Sequence, residues 1–348
     1  MSKTIPSAYA VDTGATGLTI ASSAVIIGRP RFGDRCLLSE GAVVRSSAGG
    51  VSIGTGSAVI ENSVVIGTES LPTTIGRRTV FGHRCLVVGA TVGDLCEIGN
   101  ASILMPGARL GDRVFLGEGT LVPSGMELPS DVVAVGRPAR IIRAVGPADL
   151  ERLLGLREGD LSLPPHTSTI LEPALEGLRM GQLYEYRGIT PTVAGSAVLF
   201  PTAEVTGDVV IGQRSVIGAG VKIIGDSHGP VHIGDDVQIL ENAVLHLLPD
   251  NELLIEDGAT IGPGTMIHGC HIGAGTIVEP GAIVWDGSVV GDGCVVRAGA
   301  VVRQRSRFGD GVEIDGFPAV EVGAIDPPRR PAWALDVVDL PGPTGGWR

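Results

Sequence analysis

TVFGHRCLVVGATVGDLCEIGNASILMPGARLGDRVFLGEGTLV, residues 79–122, carries an aliphatic or phenylalanine side chain at Phe81, Val87, Val92, Ile98, Leu104, Leu110, Leu116 and Val122. The steps are six residues long, with a single five-residue step between Val87 and Val92. Neither the period of a helix nor the alternation of an exposed strand gives that spacing. Six residues suffice for one short strand and one turn. Three such units close a triangular coil in which the aliphatic points inward at the same height on every turn. A glycine often follows the aliphatic, as at Gly93, Gly99, Gly111 and Gly117, and is expected to relieve a turn where φ becomes positive. The stretch predicts an all-β solenoid.

The pattern recurs 180 residues downstream. IGTGSAVIENSVVIG (Ile53–Gly67) and TIGRRTVFGHRCLVVGATVG (Thr74–Gly93) align with IGDDVQILENAVLHL (Ile233–Leu247) and LIEDGATIGPGTMIHGCHIG (Leu254–Gly273). The register holds as far as GRPA (Gly136–Ala139) and GFPA (Gly316–Ala319). In the second series Ile261, Ile267, Ile272, Val278, Val284, Val290, Val296 and Val302 repeat the spacing, the short step included. The chain therefore reads as two solenoid domains, 1–145 and 189–325, with a helical linker over 146–188 and a Pro-rich tail over 326–348. PADLERLLGL (Pro147–Leu156) has proline at a helix start and Leu150, Leu153 and Leu154 at helical spacing. ILEPALEGLRMGQLYEY (Ile170–Tyr186) places Leu171, Leu175 and Leu178 on one side. Two short helices packed along the coils are expected, and the tail, with Trp333 and Trp347, is expected to lie over a neighbouring surface.

The 43% hydrophobic content and mean hydropathy of +0.32 exclude disorder, although glycine and proline number 53 and 23. Aromatics are only 3%, so the core must be Val, Ile, Leu and Ala. With 26 basic and 38 acidic residues the net charge is -12, which lacks the footprint of a nucleic-acid binder. No window reaches the roughly 18 uninterrupted apolar residues of a membrane span. MSKTIPSAYA has no secretory apolar segment, so a cytoplasmic location is expected, with no nucleic-acid or membrane partner. Five cysteines without CxxC spacing exclude a disulfide framework and a zinc ribbon. Cys85, Cys96 and Cys294, at the fifth position of a rung, read as buried small hydrophobes.

The two copies have lost different histidines. Where the first has Ile66, His83 and Val88, the second has His246, Pro263 and His268. Pooled, they fill each of three slots once. At HRCLVVGATVG and IHGCHIG both copies resemble γ-class carbonic anhydrases, of the hexapeptide-repeat family. That pattern is an RGD-like strip, a QD-x4-H strip, then GH-x4-HGC-x-IG and a GxPA ending. The resemblance covers Ala21–Val145 and Ala194–Gly323 and implies two left-handed parallel β-helices. It also implies three histidines binding zinc or a related metal between neighbouring subunits of a trimer. Carried over, His246 and His268 form the pair from one face and His83 is the partner from another. One Zn2+ (or Fe2+ or Co2+) per chain is then expected at a site shared by a first-copy and a second-copy domain, in a homo-oligomer built through the β-helix faces. Such a centre keeps an open position, and its bound water has a pKa near roughly 7.

Around the histidines the chain departs from that pattern. Arg45 in VVRSS matches the arginine of the RGD-like strip, and Ser47 stands at its aspartate. IIGDSHG is expected to put Gly225 and Ser227 at the same two positions. The QD pair becomes Ile60–Glu61 and Leu240–Glu241. The resemblance thus assigns Arg45 to the interface or to bicarbonate, and Glu241 to orienting hydroxide. Leu240, in place of glutamine, makes the pocket more apolar. His228, His232 and His271 have no counterpart among the ligands and read as turn or strand residues. The leading expectation is a metal-dependent lyase in which hydroxide attacks carbon dioxide. The alternatives are the same site acting as a hydrolase, thioesterase or (de)hydratase on a small organic carbonyl compound, a non-catalytic assembly subunit, and an acyltransferase. Ligand-type histidine spacing and acidic charge argue against the last.

Overall fold

Strand Val80–Phe81 pairs in parallel with Ala58–Val59 on one side and Glu97–Ile98 on the other, so each strand bonds to the third strand before and after it in sequence. That rule generates three parallel sheets wound as one triangular coil. A computed structural model describes residues 17–171, 181–200, 202–226 and 229–336 of the chain. They fall in two units, Met1–Ala174 and Leu175–Arg348. The first unit has sheets of eight, six and seven strands, the second of seven, seven and eight. Each is an all-β solenoid. Val59, Phe81, Ile98 and Leu116 stack inside the first, and Ile239, Ile261, Val278 and Val296 inside the second, all buried. Full burial of such side chains contributes roughly 1.5–3 kcal/mol each.

The glycine after each inward aliphatic has a different role from the one expected. Positive φ falls two residues later, at Leu95, Ala101, Arg113 and Gly119 in the first unit and at Gly264, Gly275 and Gly293 in the second. Gly93 and Gly99 are instead required by the next coil. A Cβ on either would lie 2.6 Å or less from backbone atoms of the coil above. Beside them a column of hydroxyl and thiol donors ties coil to coil: Thr79 Oγ1 donates to the Gly93 carbonyl (2.7 Å) and Thr276 Oγ1 to that of Gly291 (2.7 Å). Cys85 and Cys96 take the same place, directed at the carbonyls of Gly99 and Gly111. All five cysteines are free and buried, and desolvation pushes the Cys85 and Cys96 thiols up to about 12.

The 180-residue register holds from Val51 and Val231 onward, but not before. Gly28 pairs with Ser46, and Gly207 pairs with Gly225. Both Gly28 and Gly207 sit at positive φ (75 and 76). Ser46 is thus equivalent to Gly225, Arg45 to Ile224 and Ser47 to Asp226. The connection before Val231 is one residue longer than the one before Val51. The expected Gly225 and Ser227 equivalences are corrected accordingly. Ser227 itself lies outside the described residues, while Asp226 occupies the acidic position of the RGD-like strip.

Among the described residues there is one α-helix, Pro147–Leu156, where the proline start was read. Only Leu153 of its leucines is buried; Leu150 and Leu154 are exposed. The segment that follows is strapped to the first unit. Arg157 donates to the Arg78 carbonyl (2.9 Å) and pairs with Glu97, Thr167 and Thr55 share a hydrogen bond, and Thr169–Ile170 pairs antiparallel with Arg31–Phe32. The second expected helix is not seen at either end of Ile170–Tyr186, where Thr169–Ile170 and Gln182–Tyr184 are strands; residues 172–180 lie outside the described residues. In the second unit the tail covers its own sheet. The Gln238 amide donates to the Leu335 carbonyl (2.6 Å) and accepts from the Leu335 N–H (2.9 Å), and Trp333 and Leu335 are buried. Trp347 lies outside the described residues.

Candidate metal centre

Solenoid register puts equivalent positions of successive coils directly above one another. His246 pairs with His268 across neighbouring strands. From Ile267 over Val284 and Val284 over Val302, the next two places in that corner column are Trp285 and Arg303. The same column in the first unit reads Arg45, Ile66 and Val88, followed by Met105 and Pro123. Arg45, Ile66 and Val88 are completely buried there. One corner is thus apolar apart from a single guanidinium; the other carries imidazole, imidazole, indole and guanidinium.

His246 Nδ1 faces His268 Nε2 at 3.1 Å, with the rings edge-on at 69°. The far nitrogens of both rings are taken by carboxylates. His268 Nδ1 is 2.8 Å from both oxygens of Asp286, and His246 Nε2 is 3.4 Å from Asp226. Asn251 holds the other side of Asp286, its amide donating to that carboxylate (3.3 Å) and to the Gly269 carbonyl (2.6 Å). Burial pushes the Asp286 carboxyl up, but the hydrogen bond and charge of His268 outweigh it and hold the carboxyl below its usual range. Where both N–H groups face the carboxylates, the two imidazoles present lone pairs to each other and can share a cation; with the His246 proton on Nδ1, the same 3.1 Å contact is a neutral hydrogen bond to His268. Two nitrogens bound tetrahedrally to one zinc at about 2.0–2.1 Å lie roughly 3.3 Å apart, so the pair fits a metal with little adjustment. Carboxylates behind ligating histidines fix the tautomer and raise basicity. Among the described residues no three His, Cys, Asp or Glu side chains converge on one cation position. A metal held by three protein ligands would need its third from outside this corner.

His83 belongs to the first unit. Its Nδ1 lies 2.8 Å from Glu61 Oε2, its backbone N–H donates to Asn100 Oδ1 (2.7 Å), and its side chain is 58% exposed. The approach to Glu61 lacks hydrogen-bond alignment, since Glu61 Oε2 is a buried oxygen with no hydrogen-bond partner among the described residues, so Glu61 does not hold His83 as Asp286 holds His268. Leu240 and Glu241 are both buried, following strand Gln238–Ile239 on a different corner of the coil from His246 and His268. Within the second unit the structure does not bring them to the histidine pair. His271 pairs with Glu256 (2.5 Å) in a strand, His232 is an exposed strand residue, and His228 lies outside the described residues.

Asp226, Asn251, Trp285 and Asp286 were not singled out from the sequence. A usable signal existed for the last two. One full coil is 17 residues across the short step, and counting it on from His268 lands on Trp285, with Asp286 next to it. Asp226 was hidden by the one-residue shift.

A parallel β-solenoid built from six-residue rungs defines a hexapeptide-repeat protein. The chain belongs to the hexapeptide-repeat family and has γ-carbonic anhydrases among its relatives at 32–38% identity. Residues 269–304 match the family model described as bacterial transferase hexapeptide (six repeats), and 72–106 that of the hexapeptide repeat of succinyl-transferase. A carbonic anhydrase of Geobacillus kaustophilus is 38% identical over 99 residues, 28% of this chain and 54% of that protein. The mitochondrial gamma carbonic anhydrase 2 of Arabidopsis thaliana is 32% identical over 130 residues, 36% of this chain and 47% of that protein. The chain thus spans about half the length of the curated relatives it matches. A crystal structure of a putative acetyltransferase from Bacillus cereus is 31% identical, covering 42% of this chain and 86% of that one, with a TM-score of 0.42.

Proposed function

We propose that the protein is a water-activating metalloenzyme of γ-carbonic-anhydrase type. His246 and His268 supply two ligands from the second unit, and His83 supplies the third from the first. The observation that carries this reading is the 3.1 Å approach of two imidazole nitrogens, each with a carboxylate behind it. When bound, zinc, Fe2+ or Co2+ supplies Lewis acidity that brings a water's pKa near roughly 7. The chain's own residues do the rest. Asp286 and Asn251 hold His268 in one tautomer, Asp226 turns His246 toward it, and Glu61 places a negative charge 2.8 Å from His83 Nδ1. The glutamine position is occupied by buried Leu240, so no side-chain amide there orients the attacking water. Arg45 is proposed for bicarbonate or the interface, and Glu241 for orienting water where the assembled site includes its corner. Slow carbon dioxide hydration is therefore expected. A second reading, water attack on an organic carbonyl, is favoured by Trp285, whose ring lies 5.7 Å from that of His268.

The test is metal content by elemental analysis, with carbon dioxide hydration followed by stopped flow. The expected result is one metal per chain, lost in His246→Ala, His268→Ala and His83→Ala alike, with hydration rising with pH through roughly 7. Two metals per chain, or full metal content in His83→Ala, would overturn the shared site.

A further inference from the structure

Beyond the imidazole pair the corner column opens into a cleft of about 640 Å3 lined by Trp285, Arg303, Gln304, Arg305 and Ser306. That volume is in the range of small-molecule sites. Its lining combines one indole face with two exposed guanidinium groups, and among the described residues neither arginine has a carboxylate partner. Asp286 is hydrogen-bonded to His268 and Asn251, and no ion pair joins it to either arginine. The Arg305 N–H donates to the Asp286 carbonyl (2.9 Å), which anchors the arginine loop directly to the residue that orients the histidine. The first unit has Met105, Pro123 and Gly125 at the positions of Trp285, Arg303 and Arg305. Indole and exposed guanidinium thus follow the histidine pair on its corner, and the equivalent positions of the first unit carry neither.

We propose that this cleft is the binding subsite for an organic carboxylate with a flat apolar body, which stacks on Trp285 and pairs its anion with Arg303 and Arg305. Arginine recognises carboxylates through parallel N–H donors, and an indole face takes an aromatic or planar acyl body. Coils stack at about 4.8 Å, so Arg303 stands two steps, about 10 Å, from His268. A substrate anchored by its anion at Arg303 would then lay its far end on the imidazole pair. The substrate class is an organic acid whose reacting carbonyl or ester lies about 10 Å from its carboxylate. This assignment rests on the second reading above for what happens at the far end, but not for binding.

The test uses the full-length, metal-loaded protein titrated calorimetrically with benzoate and with its neutral isostere benzamide. The Trp285 indole resonance, assigned with Trp285→Phe, is followed by NMR. Benzoate should bind saturably and shift that resonance, benzamide should bind at least tenfold more weakly, and Arg303→Ala/Arg305→Ala should lose benzoate affinity at least tenfold with an unchanged circular dichroism spectrum. Equal affinity for the two probes, an unmoved Trp285 resonance, or an unaffected double variant would overturn the subsite. The same titration in metal-free His246→Ala protein separates the two assignments. Benzoate binding retained there supports the subsite even if the metal assignment fails. Binding lost there but kept in the double arginine variant places the anion on the histidines and overturns it.

Discussion

Asp286 decides how good a ligand His268 would be for the proposed metal. Its carboxylate accepts a hydrogen bond from Nδ1–H, which leaves the Nε2 lone pair directed at His246. Replacing it by asparagine keeps the shape but weakens that preference, and loss of such a partner typically costs 10–100-fold in metal affinity. Asp286→Asn should therefore retain both histidines and yet release its metal to a chelator at 10–100-fold lower concentration. The carboxyl also sets a pH dependence. Its folded pKa is depressed by His268 against the opposing effect of burial, so its stabilising contribution is complete above the ordinary value of about 3.9 and is lost as pH falls through the lower, folded value. Urea midpoints measured in this acid range should fall with pH more steeply for the native protein than for Asp286→Asn.

At the level of the coil, two kinds of glycine have to be kept apart. Gly99 is needed because the next coil's backbone lies 2.6 Å from where a Cβ would be, whereas Ala101 occupies a turn at φ 54 that glycine would adopt without strain. Left-handed backbone costs a non-glycine residue roughly 1–2 kcal/mol, part of which glycine gives back in chain entropy. Ala101→Gly should raise first-unit stability by about 1 kcal/mol in chemical denaturation, and Gly99→Ala should lower it. Sequence periodicity disclosed the rung, the short step and the inward column, because these depend only on which positions are aliphatic. It misplaced the positive-φ turn, because Leu95, Ala101 and Arg113 tolerate a conformation that their identities do not advertise. It also misplaced Asp226. The connection after the strand is one residue longer in the second unit, and nothing in IIGDSHG marks where the extra residue enters.

Each unit as a whole is finished by a segment from outside its coils. In the second, residues up to Leu335 cover the Gln238 side chain and bury Trp333. Truncation after Ile325 should strip two buried apolar side chains, each worth roughly 1.5–3 kcal/mol, and expose that amide. Calorimetry should show the second unit melting at lower temperature, with the first unit's transition unmoved. The tail's destination on its own sheet was not legible in the sequence. DPPRRPAWALD carries no periodicity, and its partner, Gln238, looks like any polar strand residue. The histidines were legible as a complementary set because the duplication supplies its own reference; their carboxylates, lying on other coils, became visible only once the coils were stacked. The corner column of His246, His268, Trp285 and Arg303 also behaves as a ruler graduated at about 4.8 Å. Exchanging one mark leaves the scaffold intact, since the inward aliphatics hold each coil independently of what its corner displays. If the proposed subsite holds, rewriting a single graduation would change the length of acid it takes, and the blank first-unit ruler, Ile66, Val88, Met105 and Pro123, shows that the same scaffold stands with almost nothing written on it.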